Sequence, residues 1–425
     1  MGEVARRQIG ADHTGGVVQT GQCVTGRLLG RLRVAVVAPP WFELPPTGYG
    51  GIESIVADLV NELSDAGHEV SLVGAGRHRT RAARFFPVYR IPPSDRLGTP
   101  VPEVMQAAGA AAVLDGLDAD VVHDHTLAGP LLARGRAVPT VVTMHGPVDG
   151  DLGDYYAALG TTMNLVAISQ AQRACRPELN WVDVVHNAID VASFPYQPDK
   201  GDYVLWLGRF CPDKAAHLAI DAARAAGLPI LLAGKRSEPA EHAYFEQEIR
   251  PRLGPGVTYL GEADATSKRR LLADARALLF PIQWEEPFGM VMIEALACGT
   301  PVVALRRGSV PEIIDNDRTG LIVDTPDQLS AALHAASRLD PADCRRAAET
   351  RFDLPVMAAG YERVYRTLLA QASASQRSKA AGDSSAVSLT TRRHTERIAP
   401  PPAAHHTTTS AHSALTTVRE PHPNS

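Results

Sequence analysis

Cysteine is scarce in this 425-residue chain. The five cysteines, Cys23, Cys175, Cys211, Cys298 and Cys344, lie far apart, with no C-x-x-C pair. Their odd number and wide spacing exclude a disulfide scaffold and a cysteine-based zinc site, and fit a reducing compartment. Aromatic residues are also few, at 5%, which argues against an aromatic-lined polysaccharide groove. Neither sign of charge dominates: 42 Lys+Arg against 47 Asp+Glu give a net charge of −5. A dedicated nucleic-acid binder needs a dominant basic face, so nucleic acid is not an expected partner. No run of 18 apolar residues is present, so no transmembrane helix is expected. The first 32 residues lack the continuous apolar stretch of a secretory signal and are expected to be a disordered leader. The G-x-G-x-x-G fingerprint and the Walker A pattern are missing.

What is present is an ordinary globular composition, 45% hydrophobic, long enough for two or three domains. Arg33 to Ala38 is a near-continuous apolar run, the mark of a strand buried on both faces. A Pro/Gly loop follows to Gly51. Ile52, Ile55, Val56, Leu59, Val60 and Leu63 then recur on one helical face, Gly67 ends the helix, and Glu69 to Val73 is the next strand. This βαβ opening is continued by strand-like runs at 120–123, 140–144, 165–168 and 182–185. After a Pro-containing break at 194–198 the alternation restarts, with runs at 203–207, 230–233, 257–260, 278–282, 302–305 and 321–323. Two such series predict an α/β protein with two parallel-sheet, Rossmann-like domains. The domains are expected at 33–192 and 193–353. A last helix is predicted from Leu354 to about residue 370, and the Ser/Thr/Ala/Pro/His-rich segment 372–425 is expected to be disordered.

Three motifs carry chemistry. Glu286 and Glu294 bracket Pro287-Phe288-Gly289-Met290 at the start of a helix. Backbone N–H groups at Phe288 to Met290 form an anion site there. The two carboxylates are expected about 10 Å apart, from 1.5 Å of rise per helical residue. They suit the two hydroxyl-bearing ends of one ligand, or alternatively one dipole-favouring and one solvated glutamate. Arg209 and Lys214 follow a strand in Leu207-Gly208-Arg209-Phe210-Cys211-Pro212-Asp213-Lys214, where open α/β sheets bind ligands. Two cations there suit a diphosphate, or are ordinary surface charges. Gly50 and Gly51, in the first βα loop, permit close approach of backbone to a ligand.

Together these residues resemble the family 4 retaining glycosyltransferases of GT-B fold. Glu286 through Glu294, with the surrounding EPFG and EALACGTPVVA, matches the family's E-x7-E motif. Arg209 through Lys214 matches its cationic diphosphate clamp, and Gly50-Gly51 its glycine loop. Thr143-Met144-His145-Gly146 matches the strand end carrying a donor-side histidine. His186-Asn187-Ala188-Ile189-Asp190 matches the segment entering the interdomain linker. The resemblance spans Arg33 to Ala370. Two positions depart from it: Ala188 stands where glycine is usual, and Ala215-Ala216 follow Lys214 where glycine is common.

The resemblance implies two facing Rossmann-like domains, the last helix crossing back to complete the first. It implies hexosyl transfer, with retention, from a nucleotide-diphosphate sugar to an unidentified acceptor hydroxyl. UDP-hexose is preferred as donor, with GDP-mannose next. Glu294 would bind the ribose, Glu286 with Phe288, Gly289 and Met290 the hexose, and Arg209, Lys214, Gly50 and Gly51 the diphosphate. His145 and Glu286 would act at the reacting sugar. No cofactor or metal is implied. His123-Asp124-His125 looks metal-like, but alternation along a strand is expected to separate the two rings, leaving His123 structural and His125 beside the cleft. The stretch Arg77 to Phe86 reads as a solvated basic loop, with contact to an anionic acceptor or a membrane surface as the second reading. The expected setting is the cytoplasm, with or without contact at the inner membrane face. A sugar-nucleotide epimerase and a non-catalytic nucleotide-sugar-binding module are the alternatives on the same fold.

Overall fold

The computed structural model describes residues 30–48 and 50–391. Most of the expected leader, and the tail beyond 391, lie outside the described residues.

Two parallel sheets organise the chain. The first contains β1 (Arg33–Val37), β2 (Glu69–Ala75), β3 (Arg84–Tyr89), β4 (Val121–Asp124), β5 (Thr140–Met144), β6 (Asn164–Ala167) and β7 (Trp181–Val184), in the order β3-β2-β1-β4-β5-β6-β7. The second contains β8 (Val204–Leu207), β9 (Ile230–Ala233), β10 (Val257–Tyr259), β11 (Ala277–Phe280), β12 (Val302–Leu305) and β13 (Gly320–Val323), in the order β10-β9-β8-β11-β12-β13. Apolar residues run continuously along these strands because both faces are covered. In β1, Val34 and Val36 enter one core cluster while Ala35 and Val37 enter another. In β8, Leu205 points to one side, and Val204 and Trp206 to the other.

Strand order reverses between β1 and β4 in the first sheet and between β8 and β11 in the second. The carboxyl ends of such pairs are where open α/β sheets leave a crevice. The loop after β1 carries Gly50-Gly51, and the chain after β4 carries His125. The loop after β8 carries Arg209 and Lys214, and the loop after β11 carries Glu286. The topology thus delivers each motif to a switch point.

The helix Leu354–Thr391 begins by packing on the first domain: Leu354, Met357, Ala358, Tyr361, Val364, Tyr365 and Leu368 are buried with Val34, Val36 and residues of the helix Gly51–Asp65. Their spacing of three and four places them on one face.

Two expectations are corrected. The basic stretch is not a loop throughout: Arg84 opens the edge strand β3, and Phe85 and Phe86 pack against core clusters on opposite sides of the sheet. Arg81 pairs with Asp65 at 3.0 Å and Arg84 with Glu69 at 3.7 Å. The strand escaped notice because Pro87 interrupts it, and an edge position tolerates proline. The last helix also passes residue 372, where disorder was expected, and continues to Thr391. Its Ala, Gln, Arg and Lys residues favour helix, and no proline stops it.

Candidate active site

The strongest feature is a pair of buried carboxylates, each held by its own lysine. Glu286 and Glu294 are both 9% exposed. Lys214 forms an ion pair with Oε2 of Glu286, which also accepts the Trp284 indole N–H at 3.1 Å. The Lys214 ammonium lies 5.4 Å from the Trp284 ring centroid and 5.8 Å from that of Phe280. Lys268 pairs with Oε1 of Glu294 at 2.6 Å. An unpaired buried carboxylate is costly, and these partners remove that cost.

Local structure explains the convergence of Lys214 and Glu286. The exit loops of β8 and β11 are joined by a hydrogen bond from Gln283 N–H to the Asp213 carbonyl at 2.8 Å. Lys214 ends a short 3-10 turn, Pro212–Lys214, and Ala215 then adopts a left-handed conformation, φ 51° and ψ 50°. This is the position at which glycine is common in the resembling family, and alanine holds it at a cost of about 1–2 kcal/mol. The turn points the lysine inward before the helix Ala216–Ala225 begins.

Between the two carboxylates, Gly289 caps the helix Met290–Ala297 with φ 79°. A Cβ there would meet Met292 Cε at 2.8 Å and Phe280 Cζ at 3.2 Å. Phe288 is buried, and its carbonyl accepts the Ser309 hydroxyl at 2.6 Å. Met290 packs against the second domain's core and also against the first's. Arg209 is directed to Glu241, with Nη1 3.3 Å from Oε1, so the two expected diphosphate cations each face a carboxylate.

In the first domain, Gly50 has φ 145°, and a Cβ there would meet Pro46 at 2.9 Å and Phe42 at 3.1 Å. A Cβ at Gly51 would meet nothing within 4 Å. Gly50 is therefore required by the loop's own shape, while the backbone at Gly51 faces open space.

His145 is half-buried, with Nε2 2.9 Å from Nδ1 of His125. Burial pushes His145 down to about 4. The expected separation of His123 and His125 is corrected: their ring centroids lie 4.0 Å apart. β4 ends at Asp124, so strand alternation stops before His125. His123 is fully buried, bound through Nδ1 to the Tyr365 hydroxyl and through Nε2 to the Thr143 hydroxyl, both at 2.7 Å. Burial, reinforced by His145, pushes it down to about 3. Among the described residues, no group of three or more His, Cys, Asp or Glu side chains is arranged to hold a metal ion.

Lys268, Glu241 and Trp284 join the site without having been expected there from the sequence. Lys268 lies in a polar helix, Ala265–Asp274, whose pattern carries no motif. Trp284 stands two residues before Glu286, and its indole N–H was the one available signal. Also missed was Glu312, which links the second domain to His186 in the first at 3.1 Å.

Comparison with known proteins assigns the family and the fold. Residues 49–193 match the model described as Glycosyltransferase Family 4, and residues 201–338 match Glycosyl transferases group 1. An alpha-maltose-1-phosphate synthase of Mycolicibacterium smegmatis is 30% identical over 339 residues, covering 69% of this chain and 84% of that protein. The chain belongs to the family 4 glycosyltransferases. A phosphatidyl-myo-inositol mannosyltransferase of the same organism is 29% identical over 385 residues, covering 79% of this chain and 94% of that protein. The crystal structure of AviGT4, a glycosyltransferase involved in avilamycin A biosynthesis, superposes with a TM-score of 0.60 at 28% identity, covering 80% and 98% of the two chains. The two parallel-sheet domains of this glycosyltransferase are those of the GT-B fold.

Proposed function

We propose that this glycosyltransferase moves a hexosyl group, with retention of anomeric configuration, from a nucleotide-diphosphate sugar to an acceptor hydroxyl. The observation that carries this reading is the pair of buried carboxylates, Glu286 and Glu294, flanking a helix N-terminus, each neutralised by a lysine. Charges held in reserve in this way suit a ligand bearing hydroxyls at both ends and anionic oxygens between. Glu294 takes the ribose hydroxyls. Glu286 takes hexose hydroxyls with the backbone of Phe288, Gly289 and Met290. Lys214 turns from Glu286 to the diphosphate, joined by Arg209 and, from the first domain, by Gly50-Gly51. His145 contacts the hexose.

In the reaction the bond from the anomeric carbon to the diphosphate oxygen breaks, and a bond to the acceptor oxygen forms on the same face. The acceptor proton passes to the departing phosphate. Lys214 and Arg209 stabilise charge as it grows on that leaving group. No step in this scheme uses a metal or a cofactor.

UDP-hexoses come first as donors and GDP-mannose next. The named activities of the relatives, a mannosyltransferase and a maltose phosphate synthase, support hexose as the transferred group. The proposed setting is cytoplasmic, with peripheral contact at the inner membrane face as its second form. No helix among the described residues is long and apolar enough to cross a membrane.

The test is a panel of nucleotide sugars scored for hydrolysis and transfer with wild type and Glu286→Ala. Turnover by wild type and its loss in the variant is the expected result, with NMR of the product giving the anomeric configuration. Absence of donor binding at millimolar concentration, or normal turnover by Glu286→Ala, overturns the site assignment. Release of an isomerised sugar without acceptor would favour an epimerase, and binding without turnover a sugar-nucleotide-binding module.

A further inference from the structure

We propose that His125 is a positioning residue that fixes which ring nitrogen of His145 carries the proton, and therefore what His145 offers the donor sugar. The inference rests on the assignment of His145 to the donor side of the cleft.

The two histidines are brought together by strand register. β4 and β5 are neighbours, with Asp124 opposite Val142. His125 follows β4 by one residue, and His145 follows β5 by one residue. The His125 backbone is tied to β1 by its N–H, which donates to the Val37 carbonyl at 2.9 Å. Its Nδ1 lies 2.9 Å from Nε2 of His145, with the rings 26° from parallel.

The His125 ring has little freedom. It is 4% exposed and lies against His123, both of whose nitrogens are bound, to Tyr365 and to Thr143. The Thr143 hydroxyl also donates to the Tyr361 hydroxyl at 3.0 Å. The wall behind His125 is thus fastened to the helix that begins at Leu354. Burial keeps the imidazoles of both His125 and His145 neutral at pH 7.

Proton accounting then selects one tautomer. The contact between two neutral rings needs a single N–H. If His145 supplied it from Nε2, the His125 proton would sit on its own Nε2. That atom is buried and has no hydrogen-bond partner. A buried N–H without an acceptor is rarer than a buried acceptor without a donor. The proton therefore belongs on His125 Nδ1, which donates to His145 Nε2. His145 is left with its proton on Nδ1, the nitrogen not engaged by His125. A free imidazole side chain favours the opposite form, with the proton on Nε2. His125 thus converts His145 into a fixed donor from Nδ1, suited to a lone pair on a sugar hydroxyl oxygen.

The experiment uses the full chain labelled with 15N and reads the ring nitrogens of His145 at pH 7 by long-range proton–nitrogen correlation. A protonated Nδ1 and a bare Nε2 are expected in wild type. His125→Phe keeps the ring volume and removes the donor. It should move the His145 proton to Nε2 and lower kcat about tenfold, the worth of one misdirected hydrogen bond, with little change in donor KM. His125→Asn retains an N–H near the Nδ1 position and should restore both the tautomer and most of the rate. A His145 proton found on Nε2 in wild type overturns the proposal, as does a His125→Phe variant with unchanged tautomer and kcat. The wild-type measurement decides the tautomer even if His125→Phe fails to fold. The nitrogen signals are read without substrate, so failure of every donor to turn over would refute the donor-side role of His145 while the tautomer result stood by itself.

Discussion

The carboxylate of Glu312, in the second domain, lies 3.1 Å from the ring of His186 in the first. It also accepts the backbone N–H groups of Gln170 at 2.8 Å and Ala171 at 3.0 Å. Burial alone would raise this carboxyl, but the His186 and backbone hydrogen bonds outweigh it and hold the group below the usual carboxylate range. A depressed carboxylate contributes stability above its unfolded value, about 4.3, and loses it as pH falls through the lower folded value. Glu312→Gln should cost about 1–2 kcal/mol at neutral pH. Thermal midpoints measured from pH 7 to pH 3 should show the gap between wild type and variant closing below about pH 4. A gap independent of pH would contradict the assignment.

Glu53 behaves in the opposite sense. It is 3% exposed, and its Oε1 has no hydrogen-bond partner. Burial pushes its carboxyl up to about 7. A carboxyl raised in the folded state favours folding below its unfolded value and opposes it as pH climbs toward the folded one. Glu53→Gln should therefore stabilise the protein at pH 8, by up to about 3 kcal/mol, and have little effect near pH 4. Chemical denaturation of both proteins at the two pH values is the check.

Lys214 and Glu286 test the site directly. Lys214→Ala strands a buried carboxylate and removes a cation from the leaving-group side. Donor turnover should fall on the order of 100-fold or more, and stability by about 1–3 kcal/mol. Lys214→Met, which retains most of the buried stem, should recover part of the stability and none of the turnover. Initial rates and melting curves separate the two effects.

The adjacent glycines should respond differently. Gly50→Ala forces a side chain into a strained backbone against Pro46 and Phe42 and should destabilise the fold by about 1–3 kcal/mol. Gly51→Ala meets no protein atom, so the melting temperature should hold. If the loop approaches the diphosphate, as proposed, donor KM should rise in Gly51→Ala. Equal thermal losses in both variants would mean that the loop's role is purely conformational.

The parallel sheets were legible because β-strands buried on both faces write themselves as unbroken apolar runs, as at Val34 to Val37 and Val302 to Leu305. β3 was not: none of its six residues is fully buried, and it opens with a basic residue. The motif residues were legible as types at strand ends, and the switch points explain why Lys214 meets Glu286. Their partners were not. Lys268 reaches Glu294 from another helix, and Glu241 reaches Arg209 from 32 residues away; such pairings follow from tertiary packing and leave no local pattern. The packing of His123 on His125 was missed for a different reason. Strand alternation was extended one residue beyond the strand's end.

The helix starting at Leu354 also bears on the order in which the chain takes shape during synthesis. Tyr361 and Tyr365 are fully buried in the first domain's core, yet they leave the ribosome about 180 residues after β7, or some 10–35 s later at ordinary elongation rates. The second sheet is built from consecutive segments and can close before the first has its last wall. Domains generally fold from the N-terminus onward, but here the first domain cannot be completed until the second has been synthesised. Until the final helix arrives, the helix Gly51–Asp65 covers only part of one face of the seven-stranded sheet, and the apolar surface that Tyr361 and Tyr365 will bury stays exposed on the nascent chain.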